Sequence, residues 1–274
     1  MLRVKSIYKL IVLASMPAVL LAAACNDKEE DAMMKKAETP GVAMVKETPG
    51  AMMDKEGAAM EKPGAMMDKL PNQLFAAHFV DSYPKHGETF AQPPEKALIN
   101  FNFTLGDPSS ITVTKDGTRV NTSALAYGER NLSMSVAIPS NSGDGLYVVD
   151  YKACWPDRSC HDGRYAFMVD SKSKSSYQNF RGKSEVTINM EDIKFSPSTM
   201  VISKGTKVTW KNMDGVVHFV NTDPHPSHNA LKDLNSLDIK KGESYSYTFN
   251  VLGEWGFHCS AHVPQKMAGR IIVE

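Results

Sequence analysis

The sequence predicts an all-β protein in which two β-sandwich domains follow a methionine-rich tether. From residue 71 onward, short segments alternate apolar and polar residues and are separated by turn residues, which is typical of a sandwich or barrel. A polar stretch interrupts these segments, and we take residues 171–183 as a linker. The expected domains are therefore 71–170 and 184–274. Residues 26–70 contain almost no large β-branched or aromatic side chains and cannot build a core.

Residues 1–24 have the pattern of an export signal peptide. Basic residues precede an apolar run from Leu10 to Leu21, and three alanines follow it directly before Cys25. The apolar run is shorter than a comfortable transmembrane helix requires. The small residues before Cys25 resemble a bacterial lipobox, which implies lipidation of Cys25 after cleavage; a plain secretory signal is the alternative. We expect an exported protein, periplasmic or on the cell surface, that is anchored to a membrane by lipid.

Residues 25–70 form the expected tether and repeat a methionine-containing motif. Pro49–Lys55 recurs as Pro63–Lys69, and eight of the 16 methionines lie in this segment. A flexible chain of this length has a root-mean-square span of about 40 Å, enough to hold folded domains away from a membrane surface. Because soft thioethers select Cu(I), the methionine pairs are candidates for copper capture. The alternative is a low-complexity spacer.

The four cysteines have three different expected roles. Cys25 is the lipidation site, whereas Cys154 and Cys160 are close enough in sequence to form a disulfide in an oxidising compartment. Cys259 is then left without a partner. An unpaired thiol outside the cytoplasm is a liability unless it is buried or binds a metal, so this count favours a ligand role for Cys259.

A copper site is indicated by three residues on one short segment ahead of the last predicted strand. These are Cys259, His262 and Met267, and His218 lies upstream where a neighbouring strand can bring it to the same place. Two imidazoles and a thiolate in a plane, with a weak axial thioether, form the ligand set of an electron-transfer copper centre. We therefore predict one mononuclear type 1 (blue) copper site that cycles between Cu⁺ and Cu²⁺.

The strand that ends at Cys259 is expected to bury the thiol. Period-two alternation places Trp255, Phe257 and Cys259 on one face, where the aromatic rings exclude water from the sulfur. His258 then lies on the other face of the strand. We expect it to be exposed and not to be a ligand.

Two further histidines, His225 and His228, lie in a proline-rich loop. Imidazoles three residues apart are candidates for a second metal, or for shaping the approach of a partner. No third ligand lies nearby in sequence, so solvated side chains are the alternative.

The chain from about residue 183 to its last residue resembles the cupredoxins, and among them plastocyanin and amicyanin. The likeness rests on the strands Val186–Ile188 and Val208–Trp210, on Phe195–Pro197, and on the run from Gly253 to His262. It implies a Greek-key sandwich with one bound copper ion.

The same resemblance implies a role for each candidate ligand. His218, Cys259 and His262 would be the equatorial ligands and Met267 the axial one. No open coordination position is implied and no acid–base pair stands beside the site, so we predict no catalysis.

Residues 77–170 resemble the CopC copper-resistance domain, an immunoglobulin-type sandwich. The likeness lies in the segment from Ala77 to Thr89 and in the alternating residues after Gly145. In that family a histidine at the position of His78 is usually the mature N-terminus and binds Cu(II) with its own amine. Here other residues precede it, and Ser159 stands where the family has another histidine.

An altered metal site in this domain is one prediction from the resemblance. Its candidate ligands are His78, His86, Asp157 and His161, the last of which lies two residues beyond Ser159. The alternative is a metal-free structural or docking domain.

Together these patterns predict an exported copper protein that carries one electron between redox partner proteins. The alternative is a protein that sequesters or delivers copper in copper resistance. An enzyme such as a copper nitrite reductase is the weakest hypothesis, because the sequence shows no second catalytic copper site and only one domain with a complete ligand set. The 31 basic and 31 acidic residues balance, which argues against nucleic acid as a partner.

Overall fold

The computed structural model describes residues 70–274, which form two β-sandwiches in sequence. Each sandwich consists of one four-stranded and one five-stranded sheet. In this part of the chain the only helices are 3-10 turns, and none is long and apolar enough to cross a membrane. The architecture confirms the predicted all-β class. The expected signal peptide, tether, lipidation site and methionine repeats lie outside the described residues.

Nine strands build the first sandwich, with sheet orders β1-β3-β7-β6 and β2-β9-β8-β4-β5. Their bounds are Phe79–Tyr83 (β1), Thr89–Phe90 (β2), Lys96–Phe101 (β3), Gly106–Lys115 (β4), Thr118–Arg119 (β5), Ala126–Tyr127 (β6), Ser133–Ala137 (β7), Gly145–Cys154 (β8) and Cys160–Val169 (β9). Cys154 and Cys160 form a disulfide across the turn that joins β8 to β9.

Nine further strands build the second sandwich, with sheet orders β12-β11-β14-β16 and β10-β13-β18-β17-β15. Their bounds are Gln178–Asn179 (β10), Glu185–Glu191 (β11), Lys194–Ser196 (β12), Thr199–Ile202 (β13), Lys207–Asn212 (β14), Asn221–Thr222 (β15), Ser244–Thr248 (β16), Gly253–His258 (β17) and Ala268–Val273 (β18). Short 3-10 turns cover Glu129–Asn131, Ser171–Ser176 and Ser260–His262.

The residues expected to form a linker have regular structure. Asp170 caps the 3-10 turn at Ser171–Ser176 by accepting a hydrogen bond from the Lys172 amide, and β10 then pairs in parallel with β13. A run of serines and lysines is typical of a segment that interrupts regular structure. Here the serine hydroxyls donate hydrogen bonds to nearby backbone carbonyls and so stabilise a tight turn. The connection is thus part of the second sandwich.

Period-two burial in β11 shows why the second sandwich folds as it does. Val186, Ile188 and Met190 are buried, and the residues between them are exposed. β17 departs from this pattern, because all six of its residues are buried. It lies between β18 and β15. One of its faces meets the core around Trp210, and the other is covered by the loop that follows β15 at His258 and by the first domain at Glu254.

The two sandwiches share a buried polar contact. The Glu254 carboxylate of β17 accepts hydrogen bonds from the Ala91 amide at 2.7 Å and from the Tyr177 hydroxyl at 2.8 Å, and it pairs with Arg270 at 3.1 Å. Arg270 also pairs with Glu88 of the first domain at 3.0 Å. Burial alone would lower the pKa of Arg270, but the charges of Glu88 and Glu254 raise it above its ordinary value.

Candidate metal centre

Three of the predicted copper ligands converge at one end of the second sandwich. The Cys259 Sγ lies 3.2 Å from His262 Nδ1 and 3.7 Å from His218 Nδ1, and the two Nδ1 atoms are 3.2 Å apart. His218 and Cys259 have no exposed surface, whereas His262 is partly exposed. The structure therefore brings together two imidazole nitrogens and a thiol sulfur whose lone pairs face a common point.

Backbone hydrogen bonds fix the positions of these ligand residues. His218 exchanges two backbone hydrogen bonds with Ile239, and Cys259 follows the last residue of the central strand β17. The Cys259 amide donates to the Met267 carbonyl at 2.9 Å, and the Met267 amide donates to the His262 carbonyl at 3.3 Å. Met267 is buried in the same core cluster as Cys259. These backbone hydrogen bonds close the loop between Cys259 and Met267.

Asp214 orients the His218 ring, and the sequence patterns did not identify this residue. Its Oδ2 lies 2.8 Å from His218 Nε2. Since a carboxylate only accepts, Nε2 carries the proton and Nδ1 is left with a free lone pair for a metal. Burial raises the pKa of Asp214, but hydrogen bonds from the Ile193 amide, His218 and the Asp192 amide outweigh this effect and lower it.

The sulfur of Cys259 has its own hydrogen-bond donor. The Phe219 amide donates to Sγ at 3.3 Å, while Phe257 and Trp255 pack in the surrounding core. The amide donor holds the sulfur at a defined orientation, and this hydrogen bond and the dry surroundings are among the features that tune such a centre. The donor set of two imidazoles, one thiolate and one nearby thioether fits copper.

A second histidine cluster lies directly behind the first site. His225, His228 and His258 place one nitrogen each within 4.8 Å of one another. The prediction that His258 is exposed is wrong: only 4% of its surface is accessible, because the loop that follows β15 packs on that face of β17. Sequence spacing revealed the pair in the loop but not the third imidazole, which comes from a strand.

Asp223 anchors this cluster. Its Oδ1 accepts from His258 Nδ1 at 2.8 Å and lies 3.5 Å from Lys85 Nζ. Burial opposes ionisation of Asp223, but the hydrogen bond from His258 and the charge of Lys85 lower its pKa below the ordinary value. Burial, followed by the neighbouring histidines, lowers the pKa of His228 to about 4 and also lowers that of His225. Both loop imidazoles are therefore neutral near pH 7.

The four candidate ligands of the first domain do not form one cluster, although His78 and His161 both pack against Trp155. Among residues 70–274, no three of them lie in one cluster of ligand atoms. His78 stacks on Phe103, and His86 accepts a hydrogen bond from the amide of Ala166 far along β9 from His161. The side chain of Asp157 is engaged by the amide and hydroxyl of Ser159 in the β8–β9 turn.

Two protein families match this chain, one for each domain. The CopC domain family matches residues 79–170, and the family described as copper binding proteins, plastocyanin/azurin family, matches residues 182–274. These matches confirm both resemblances seen in the sequence.

Individual plastocyanins and an amicyanin also match this chain. Plastocyanin from Scenedesmus fuscus is 36% identical over 84 residues, which cover 29% of this chain and 86% of that protein. Amicyanin-alpha from Methylorubrum extorquens is 30% identical over 93 residues, covering 34% of this chain and 73% of that protein. The chain spans 58% of the length of a 34% identical chloroplastic plastocyanin from Tetradesmus obliquus.

Among solved structures, PcoC, a methionine-rich copper resistance protein from Escherichia coli, is 27% identical. The match covers 34% of this chain and 97% of that one, with a TM-score of 0.31. The plastocyanin/azurin family match at residues 182–274 includes His218, Cys259, His262 and Met267. Through this domain the chain belongs to the plastocyanin/azurin family of copper binding proteins.

Proposed function

We propose that the protein is an exported electron carrier that moves one electron through a single type 1 copper ion held by His218, Cys259, His262 and Met267. The observation that carries this proposal is the convergence of two imidazole nitrogens and a buried sulfur within 3.7 Å of one another. Thiolate and thioether favour Cu(I), whereas imidazole suits both oxidation states, so the ion is held through both. Four protein donors leave no position for a substrate, which argues against catalysis at this centre.

The electron has a short route to the surface in this proposal. Of the four proposed ligands, His262 alone is partly exposed, and Val263 beside it is 39% exposed. Val216 and Val217, just before His218 in sequence, are also exposed. Apolar side chains around an exposed ligand suit brief contact with a redox partner protein, because they need little desolvation of charge.

Export and membrane attachment belong to the same proposal. The disulfide between Cys154 and Cys160 fits an oxidising compartment, and the signal pattern ahead of Cys25 supports a lipid-anchored, periplasmic or cell-surface protein. The alternative function is copper sequestration or delivery in copper resistance. The match of residues 79–170 to the CopC domain favours it, together with the methionine repeats.

The proposal is tested by loading the purified exported protein with copper and recording its colour and redox behaviour. We expect an intense blue absorption from thiolate-to-copper charge transfer, and repeated reduction and reoxidation without loss of the ion. Cys259→Ala should abolish the blue band completely. Asp233→Asn, a change at an exposed residue of the same domain, should keep it.

Two outcomes would contradict electron transfer. A wild-type protein that binds copper without the blue band lacks the thiolate ligand. A protein that loses its copper to a chelator on each reduction cycle behaves as a store or a delivery protein instead.

A further inference from the structure

We infer that His225, His228 and His258 form a second metal site, for a divalent late transition ion such as Cu²⁺ or Zn²⁺. His228 Nε2 lies 3.2 Å from both His225 Nδ1 and His258 Nε2. Two nitrogens bound to one tetrahedral ion at 2.0–2.1 Å are about 3.3 Å apart. The imidazoles thus have the spacing of metal ligands.

The protonation pattern supports a metal in place of a hydrogen-bonded cluster. Asp223 accepts from His258 Nδ1, so a neutral His258 presents the lone pair of Nε2 to the two loop imidazoles. His228 Nε2 also lies 3.2 Å from Ser260 Oγ, whose own proton goes to Asn221. With one proton or one lone pair, His228 Nε2 can form only one strong hydrogen bond with these three partners. A metal ion uses the lone pairs of all three rings at once.

Asp223 supplies the support that metal-bound histidines usually have. A ligating imidazole commonly donates its other N–H to a carboxylate, which fixes the ring and makes it a better donor. The Asp223 carboxylate is nearly buried and lies 2.8 Å from His258 Nδ1. This arrangement repeats the pairing of Asp214 with His218 at the first site.

The first domain holds the loop that carries two of the three imidazoles. Asp81 of β1 accepts from the Ser227 amide at 3.0 Å, and Asn100 of β3 accepts from the Asn229 side chain at 2.7 Å. Ala230, at the end of the loop, is buried in the core of the first sandwich. Because the first domain fixes this loop, its histidines are held in one arrangement, which lowers the entropic cost of binding an ion.

A cleft gives an ion access to the cluster. It has a volume of about 390 Å³, and its walls include His225, His258, Lys85 and Lys266. Three protein ligands leave a fourth position free, and this position is open to a small exogenous ligand from the cleft. Imidazole suits zinc, copper and nickel, and Cu²⁺ binds most tightly of the divalent series.

The site is distinct from the type 1 centre but adjacent to it. His258 and Cys259 are neighbours in the chain, so one peptide bond links a ligand of each site. Alternation at the end of β17 turns the two side chains to opposite faces of the strand. The sequence patterns indicated one complete copper site, whereas the fold brings three further imidazoles together.

The test uses the purified exported protein with its type 1 site already filled with copper. Zn²⁺ is added in steps against a chromophoric chelator, because thioethers of the methionine repeats do not select it. We expect one tightly held zinc per chain in the wild type and none in the double variant His225→Ala/His228→Ala. The blue band should be unchanged in that variant, which reports that the second domain is folded.

A matched control removes an imidazole elsewhere. His161→Ala, an exposed change in the first domain, should leave zinc binding as in the wild type. The Cys259→Ala protein, which lacks the type 1 thiolate, should still bind zinc at the histidine cluster. Absence of zinc from the wild type would overturn the inference, and so would zinc that remains bound with the same affinity when His225 and His228 are both replaced.

Discussion

Asp214 connects the surrounding protein to the proposed type 1 centre through the ring of His218. Its carboxylate accepts from His218 Nε2 and is itself held by the amides of Asp192 and Ile193. Both of these residues have positive φ values, 54° and 56°, so the turn between β11 and β12 points its amides at the carboxylate. A negative charge fixed beside a ligand ring favours the more positive oxidation state of the bound ion.

Asp214→Asn is expected to raise the reduction potential of the copper centre. The amide keeps the size of the side chain but removes the charge, so Cu²⁺ loses more stabilisation than Cu⁺. Each tenfold loss in relative affinity corresponds to about 59 mV for a one-electron couple. A spectroscopic redox titration of the blue band measures the shift. Asp233→Asn controls for net charge, and a lower potential in Asp214→Asn would contradict the argument.

At the scale of single elements, β17 shows what alternation can and cannot predict. The expectation that Cys259 points inward agrees with its complete burial among aromatic side chains. Alternation also correctly predicted that His258 lies on the other face, but it does not predict which residues cover that face. The cover is the loop from Asp223, and its position depends on bonds to the first domain that are remote in sequence.

The role of Asp214 in orienting His218 could not be predicted for a related reason. Asp214 lies four residues before His218, in a polar stretch without a periodic pattern. Its role depends on a carboxylate position that only the folded turn defines. Ligand residue types and spacing could therefore be predicted from sequence, whereas the groups that orient them could not, because they are selected by tertiary contacts.

A substitution at Gly256, in the middle of β17, tests the contact between this strand and the loop that begins at Asp223. A Cβ on this residue would overlap the Asp223 carboxylate. Gly256→Ala must therefore displace Asp223, and we expect a loss of about 1–3 kcal/mol in the free energy of unfolding, as for other overpacked sites. Denaturant unfolding measures the change.

Gly215→Ala is the matched control, since nothing lies within 4 Å of the added methyl group. Its free energy of unfolding should stay within about 0.5 kcal/mol of the wild type. The Gly256→Ala protein should also bind zinc more weakly at the histidine cluster, because Asp223 no longer supports His258. Equal stability of the two alanine variants would mean that the loop moves away freely.

At the scale of the whole molecule, the two sandwiches are joined by contacts that neither domain could make alone. The Tyr83 hydroxyl donates to the Glu254 carbonyl at 2.5 Å, and the Arg270 guanidinium lies 4.0 Å from the centre of the Phe90 ring. Two separate patterns in the sequence predicted two domains but not this interface. The alternation of apolar and polar residues does not indicate which partner a buried polar residue such as Glu254 will contact.

Glu254→Ala is expected to uncouple the two domains. The substitution leaves Arg270 buried without one of its two carboxylate partners and removes the acceptor of Tyr177 and of the Ala91 amide. Breaking a buried ion pair on one side typically costs about 3–5 kcal/mol. In calorimetry the wild type should unfold in one transition and the variant in two, with the lower one at reduced temperature.

The exposed pair between Glu185 and Lys207, 3.5 Å apart, provides the control for this change. Glu185→Ala removes a carboxylate from the surface of the same domain and should cost less than about 1 kcal/mol. If Glu254→Ala were no more destabilising than Glu185→Ala, the interface would not couple the domains. If Glu254→Ala instead unfolded in one transition at a lower temperature, the domains would be coupled mainly by other contacts. These are the hydrogen bonds of Asp81 and Asn100 with the histidine loop, which do not involve Glu254.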